Sequence, residues 1–237
     1  NDAPTVASTI SDVSHAEDSA YSLNVDGTCT DVDTGNDDSL TYSISGAPGT
    51  ITISGTTISG TPVNANVGAH TITVTCSDGS LSASDQYVLT VTNVNDAPTV
   101  TSAISDVSHA EDAAYSLSVA SVCTDVDSGD SLTYSISGAP STITISGTTI
   151  SGTPVNANVG AHTITVTCTD GSSATASDQY VLTVTNTNDA PTVASAIADA
   201  STAEDSAYSL SVSGTCTDVD SGDSLTYSIS GAPSTIT

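Results

Sequence analysis

The hexapeptide Asn-Asp-Ala-Pro-Thr-Val occurs at Asn1, Asn95 and Asn188, and each copy opens a stretch whose landmarks recur in the same order. The intervals are 94 and 93 residues, too long for a solenoid turn and suited to one small sandwich domain apiece. The landmarks run through Ala-Glu-Asp, Ala-Tyr-Ser-Leu, Thr-Asp-Val-Asp and Leu-Thr-Tyr-Ser-Ile-Ser-Gly-Ala-Pro. Gly-Thr-Pro-Val-Asn-Ala-Asn-Val-Gly and Ala-Ser-Asp-Gln-Tyr-Val-Leu-Thr-Val-Thr-Asn then close the first two copies. The third copy stops after Gly-Ala-Pro-Ser-Thr-Ile-Thr. The expected organisation is an array of beads: repeat 1 over 1–94, repeat 2 over 95–187 and a partial repeat 3 over 188–237.

Within a repeat the apolar period is two. Tyr21, Leu23 and Val25 alternate with polar residues, as do Leu40, Tyr42 and Ile44, then Ile72, Val74 and Cys76, then Tyr87, Leu89 and Val91. Such alternation predicts half-buried strands. Asp26-Gly27, Gly46-Ala47-Pro48 and Asp78-Gly79 supply turn signals between them. No segment has a sustained helical period. The expected fold is all-β, a series of Ig-like antiparallel sandwiches, with Thr and Ser on the solvent faces and Asp near strand ends to discourage edge pairing.

The chain has no Lys and no Arg against 27 acidic residues, a net charge of -27. It cannot neutralise phosphates, which excludes nucleic acid and anionic membrane surfaces as partners and makes cations the natural ones. No run approaches the length of a membrane span, and no basic and apolar leader is present. With no initial Met and an interrupted third repeat, the sequence reads as a window from a longer secreted protein.

Five cysteines fall at Cys29, Cys76, Cys123, Cys168 and Cys216, two in each full repeat and one in the partial one. The repeat implies the pairs Cys29–Cys76 and Cys123–Cys168, leaving the partner of Cys216 beyond Thr237, and an oxidising extracellular or cell-surface setting. Buried free thiols are the alternative. Zinc ligation lacks the CxxC or HxxxH spacing it needs. Each cysteine precedes an aspartate by two residues, so each disulfide would hold two carboxylates at one pole of the sandwich.

Glutamate occurs only at Glu17, Glu111 and Glu204, always in Ala-Glu-Asp. A longer carboxylate confined to one position suggests bidentate reach toward a hard cation. Paired aspartates recur as Asp31/Asp33, Asp125/Asp127 and Asp218/Asp220, and Asp-Gly recurs at Asp78 and Asp170. With Asn93, Asn95 and Asp96, and their counterparts Asn186, Asn188 and Asp189, these supply the all-oxygen donor set that Ca²⁺ takes. An acidic coat serving only solubility is the competing reading.

The string from Asp78 to Val100, DGSLSASDQYVLTVTNVNDAPTV, resembles the last strand and linker of cadherin repeats. The whole repeat, with GTPVNANVGAHTITVTCSDG, resembles bacterial cadherin-like, dystroglycan-type and Ig-type repeats of surface proteins. The resemblance implies Ca²⁺ between consecutive domains. Carried over by position, the first junction would use Glu17, Asp78, Asn93, Asn95 and Asp96 with Asp125, Asp127 and Asp170. The acidic segment that cadherins place before the penultimate strand is replaced here by Asn64-Ala65-Asn66 and Asn156-Ala157-Asn158, which implies one ion fewer.

Catalysis is not expected. His15 and His109 are replaced by Thr202 in the third repeat, no GxSxG elbow occurs, and Tyr is the only aromatic available as a sugar platform. No N-x-S/T sequon is present; Thr50, Thr52, Thr56 and Thr57 are candidates for O-linked sugars. The expected function is an extracellular spacer, stalk or filament subunit stiffened by calcium and stapled by disulfides, whose partners are neighbouring repeats or copies of itself in a fibre, and glycans. The alternative is an adhesin that binds carbohydrate or protein through its sandwich loops.

Overall fold

A computed structural model describes residues 1–33, 39–234 and 236. The chain divides into two compact units, one made of residues 1–98, 125–131 and 170–174 and the other of residues 99–124, 132–169 and 175–237.

The first unit contains β1 (Thr5–Val6), β2 (Val13–Ala16), β3 (Tyr21–Asn24), β4 (Cys29–Thr30), β5 (Thr41–Ser45), β6 (Ile51–Ser54), β7 (Thr57–Gly60), β8 (Gly68–Ser77) and β9 (Ser82–Thr92). They form a four-stranded sheet in the order β2-β9-β8-β5, a three-stranded sheet β3-β7-β6 and a small β1-β4 ladder. Of the residues that alternate with period two, Tyr21, Val25, Ile72, Val74, Tyr87, Leu89 and Val91 join Ile51 and Ile58 in one buried cluster, with Leu23, Tyr42 and Ile44 partly buried against it. The Cys29–Cys76 disulfide joins β4 to β8.

The second unit repeats this plan with β10 (Thr99–Val100), β11 (Val107–Ala110), β12 (Tyr115–Ser118), β13 (Cys123–Thr124), β14 (Thr133–Ser137), β15 (Ile143–Ser146), β16 (Thr149–Gly152), β17 (Gly160–Thr169) and β18 (Thr175–Thr185). Cys123 and Cys168 are bridged, as the repeat implies. From residue 188 onward the only strand pairing among the described residues is the ladder of β19 (Thr192–Val193) with β20 (Cys216–Thr217). Cys216 is a free, half-buried thiol. Tyr208, Leu210, Tyr227 and Ile229 occupy core positions of the repeat yet are exposed, because no counterpart of the long β8–β9 hairpin covers them among the described residues.

One pairing departs from an all-antiparallel expectation. β2 runs parallel to β9, with Val13 opposite Leu89 and Ala16 opposite Thr92. Two carboxylates hold the approach to this strand: Asp85 Oδ2 accepts from the Ile10 N–H (2.6 Å) and Asp12 Oδ1 from the Val88 N–H (2.7 Å). Parallel pairing puts the C-terminal ends of β2 and β9 side by side. The residue after β2, Glu17, is therefore delivered to the chain that leaves β9.

Each core also contains a hydroxyl pair, Tyr21 with Tyr87 at 3.2 Å and Tyr115 with Tyr180 at 3.1 Å. Burial raises all four phenol pKa values, in Tyr87 and Tyr180 reinforced by the partner hydroxyl. A phenol whose folded pKa lies above its unfolded one favours the fold fully below about pH 10, and that contribution is lost as pH rises through the folded value. An alkaline titration followed by tyrosinate absorbance, run beside circular dichroism, tests this. Tyr21, Tyr87, Tyr115 and Tyr180 should ionise only with unfolding; tyrosinate absorbance that is complete while the fold is intact would refute the buried pairs.

Candidate cation site

Glu17 is 1% exposed, as is Glu111 in the second unit. Its backbone N–H donates to Thr92 O, which fixes it beside the end of β9, and the following Asp18 takes a left-handed conformation (φ 56°) while donating its N–H to Pro62 O. Asp tolerates that conformation better than most side chains. One carboxylate oxygen, Oε1, accepts from the Val94 N–H at 3.0 Å; the other, Oε2, is buried without a hydrogen-bond partner among the described residues.

The segment after Val94 carries the contacts onward. The Asp96 N–H donates to Asp127 Oδ2 (2.7 Å), and the Asn95 amide donates to Asp170 Oδ2 (2.9 Å). Asp127 also receives the Asn64 amide on Oδ1 (2.9 Å). The neighbouring Asp125 uses Oδ1 to accept the Asp127 N–H, and its Oδ2 is buried with no hydrogen-bond partner among the described residues. Asp125, Asp127 and Asp130 can bring one carboxylate oxygen each within 4.8 Å of one another. All of these residues lie inside the first compact unit, which takes in the loops 125–131 and 170–174.

The electrostatics fit hydrogen-bonded anions crowded together. The Asn95 amide, followed by backbone N–H groups around Ala174, Ser172 and Ser173, holds the Asp170 carboxyl below the usual range. Asp130 is pushed up, first by local shielding from water and then by Asp125, Asp127 and Asp170, although the residue as a whole is exposed.

Not every residue carried over from the sequence arrives here. Asp78 sits in the turn after β8, whereas Glu17 lies by the other end of the β8–β9 hairpin, where Gly68 pairs with Val91. Ten residues of strand separate the two ends by ~30 Å, so Asp78 cannot share a site with Glu17. It stands instead two residues beyond Cys76, at the pole where the disulfide brings Cys29, Asp31 and Asp33. There the N–H groups of Leu81 and Ser80, with a smaller contribution from the Asn1 side chain, lower its pKa. At that pole Asp33 Oδ2 accepts from the Asp2 N–H (2.6 Å) and Asp31 Oδ1 from the Asp33 N–H (2.9 Å). Asn93 and Asn186 are exposed and make no contact with the carboxylates among the described residues.

The arrangement recurs in the second unit. Glu111 Oε1 accepts from the Thr187 N–H (2.9 Å) while Oε2 is buried and unpartnered among the described residues. Asp220 accepts from the Asp189 N–H (2.6 Å) and from the Asn156 amide (3.1 Å), and Asp218 accepts the Asp220 N–H (3.0 Å). Asn188 bonds the Asp189 carbonyl instead of a carboxylate. Asp218, Asp220 and Asp223 repeat the three-oxygen cluster. Asp130, Asp223 and the two asparagine turns escaped the sequence reading; the duplicated Asn-Ala-Asn was the available signal, read there as a loss of charge.

A sequence profile described as Putative Ig domain matches residues 3–92 and 97–185, most of the chain. The chain belongs to this family. No curated protein sequence matches it. Among solved structures, this Ig-domain chain is similar to mouse cadherin-23 EC22-24 at 22% identity and a TM-score of 0.53, over 74% of this chain and 63% of that one. Protocadherin gamma B2 extracellular cadherin domains 1-5 match at 19% identity and a TM-score of 0.50, over 83% and 43%. An endo-fucoidan hydrolase of glycoside hydrolase family 107 matches at 24% identity over 78% of this chain and 29% of its own, but its TM-score of 0.39 carries no argument. The chain spans less than two thirds of each of these structures. At such identities the likeness establishes the fold alone: the Ig-domain repeats are cadherin-like β-sandwiches in tandem.

Proposed function

We propose that this chain is part of an extracellular or cell-surface structural array, a spacer, stalk or filament subunit, in which Ca²⁺ ties each repeat's exit segment to the acidic loops that follow. The repeats 1–94, 95–187 and 188–237 are its modules. Disulfides support an oxidising compartment, and among the described residues no helix is long and apolar enough to cross a membrane. Neighbouring repeats or further copies of the chain are the partners. Tyrosine placement in paired core positions supports a structural role over a catalytic one.

The observation that carries the cation is the pair of buried oxygens Glu17 Oε2 and Asp125 Oδ2, without a hydrogen-bond partner among the described residues, in a chain without a single Lys or Arg. An ionised carboxylate buried without a donor is costly, and in a chain without Lys or Arg an added cation is a direct way to relieve it. Glu17, Asp125, Asp127 and Asp130 would hold the ion in the first unit, and Glu111, Asp218, Asp220 and Asp223 in the second. All donors are oxygen, as a hard cation requires.

Extracellular modules of this kind bind calcium with Kd on the order of 0.1–1 mM. At about 10 mM calcium each site should then add about 1.4–2.7 kcal/mol to stability. Melting curves with calcium and with a chelator test this, alongside calorimetric titration; identical curves and no heat of binding would leave the carboxylates as a solubilising coat.

A further inference from the structure

The carboxylates of each unit are of two kinds. Glu17, Glu111 and Asp125 keep a buried oxygen with no partner among the described residues. Asp127 and Asp220 are as well buried, 5% and 6% exposed, yet both oxygens of each are satisfied by neutral donors: one by a backbone N–H, the other by the amide of Asn64 or Asn156. Asp33 holds the same place in the first repeat and accepts the Asp2 N–H. No asparagine amide reaches it among the described residues, and it is only half-buried.

The amide is presented by a built turn. Asn64–Asn66 and Asn156–Asn158 are single 3-10 turns. In the first, Asn66 Oδ1 accepts from the Val63 N–H (3.1 Å) and from the Thr50 hydroxyl (2.9 Å), while His70 Nε2 donates to the Asn66 carbonyl (2.6 Å). In the second, Asn158 makes the matching bonds to Val155, Thr142 and His162. The two asparagines of each Asn-Ala-Asn thus have different work: the second rigidifies the turn, and the first projects its amide onto the aspartate. A donor fixed beforehand loses little freedom on engaging its acceptor, and a bond to an ionised acceptor is stronger than a neutral one.

We propose that Asn64 and Asn156 are metal-independent latches, each closing the acidic loop of its unit with a neutral amide where an all-carboxylate site would fall open without a cation. Calcium at the unpartnered oxygens then tightens a contact that already exists, and its removal loosens the unit by degrees. The latch goes beyond the calcium reading and does not need it; only the recovery by calcium described next rests on it.

The test is the full chain carrying Asn64→Asp and Asn156→Asp together, which replaces each amide donor by an isosteric carboxylate facing Asp127 or Asp220. In chelator the variant is expected to melt roughly 5–10 °C below the parent chain, from the loss of a charge-assisted hydrogen bond in each unit. In calcium the gap should close, because the facing carboxylates then share an ion. Equal melting in chelator overturns the latch. A gap that calcium does not close leaves the latch standing and removes the shared ion, whereas an unresponsive parent chain rejects the calcium reading alone. Should the variant not fold, side-chain amide exchange in the parent chain decides: in chelator the Asn64 and Asn156 amide protons are expected to exchange at least ten-fold more slowly than those of exposed Asn93. Equal rates would refute the proposal.

Discussion

Replacing Cys29 and Cys76 together by alanine is expected to lower the stability of the first unit by about 4 kcal/mol, the chain-entropy value for a loop closed over 47 residues. The matching change at Cys123 and Cys168, separated by 45 residues, should cost the second unit the same. Cys29 is 4% exposed and Cys76 fully buried, so alanine also leaves small cavities and the effect should not fall below this figure. Denaturant unfolding of the double variants measures it. A loss under about 1 kcal/mol would mean that the unfolded chain is compact enough for the crosslink to restrict little. Cys123 and Cys168 each stand two residues before an aspartate at the proposed cation site, so their loss should also weaken calcium binding, whereas loss of Cys29 and Cys76, at the pole remote from Glu17, should not.

Alanine at Gly60 or Gly152 is expected to be as damaging, at about 3 kcal/mol or more, for a reason that composition does not reveal. Gly60 pairs with Tyr21 on one side and Ile51 on the other, and an added Cβ would run into the Thr50 carbonyl; Gly152 faces the Thr142 carbonyl in the same way. The obstacle is the backbone of the turn that leads into the neighbouring strand, and it cannot rotate away. Gly55→Ala is the control, since its Cβ would meet nothing within 4 Å; there only the left-handed φ of 58° is penalised, by about 1 kcal/mol. Comparable losses at Gly55 and Gly60 in thermal denaturation would show that conformation matters and the close approach does not.

Local pattern and repetition carried much of the architecture. Alternation at Tyr21-Leu23-Val25 and Tyr87-Leu89-Val91 fixes which face of each strand is buried, because the side-chain period of a strand is two, and the recurrence of Asn-Asp-Ala-Pro divides the chain without reference to any contact. The same recurrence pairs the cysteines. A chain free of Lys and Arg also leaves a buried carboxylate to be stabilised by neutral hydrogen-bond donors, by histidine or by added cations.

Only the tertiary structure decided which carboxylates meet. Asp78 and Glu17 look alike as acidic residues of one repeat, but they lie at opposite ends of the β8–β9 hairpin, since strand direction is settled by long-range pairing and not by local preference. The parallel alignment of β2 with β9 brings Glu17 to Val94 across 77 positions of sequence. Asn64 reaches Asp127 across 63. Alternation within either segment has no means of encoding such a meeting. The sequence by itself determined that this chain would form disulfide-stapled β-sandwich repeats rich in carboxylates with no Lys or Arg to pair with them. The folded structure determined which carboxylate meets an amide and which buried oxygen has no hydrogen-bond donor among the described residues, because both depend on distances that close only when the sheets pair.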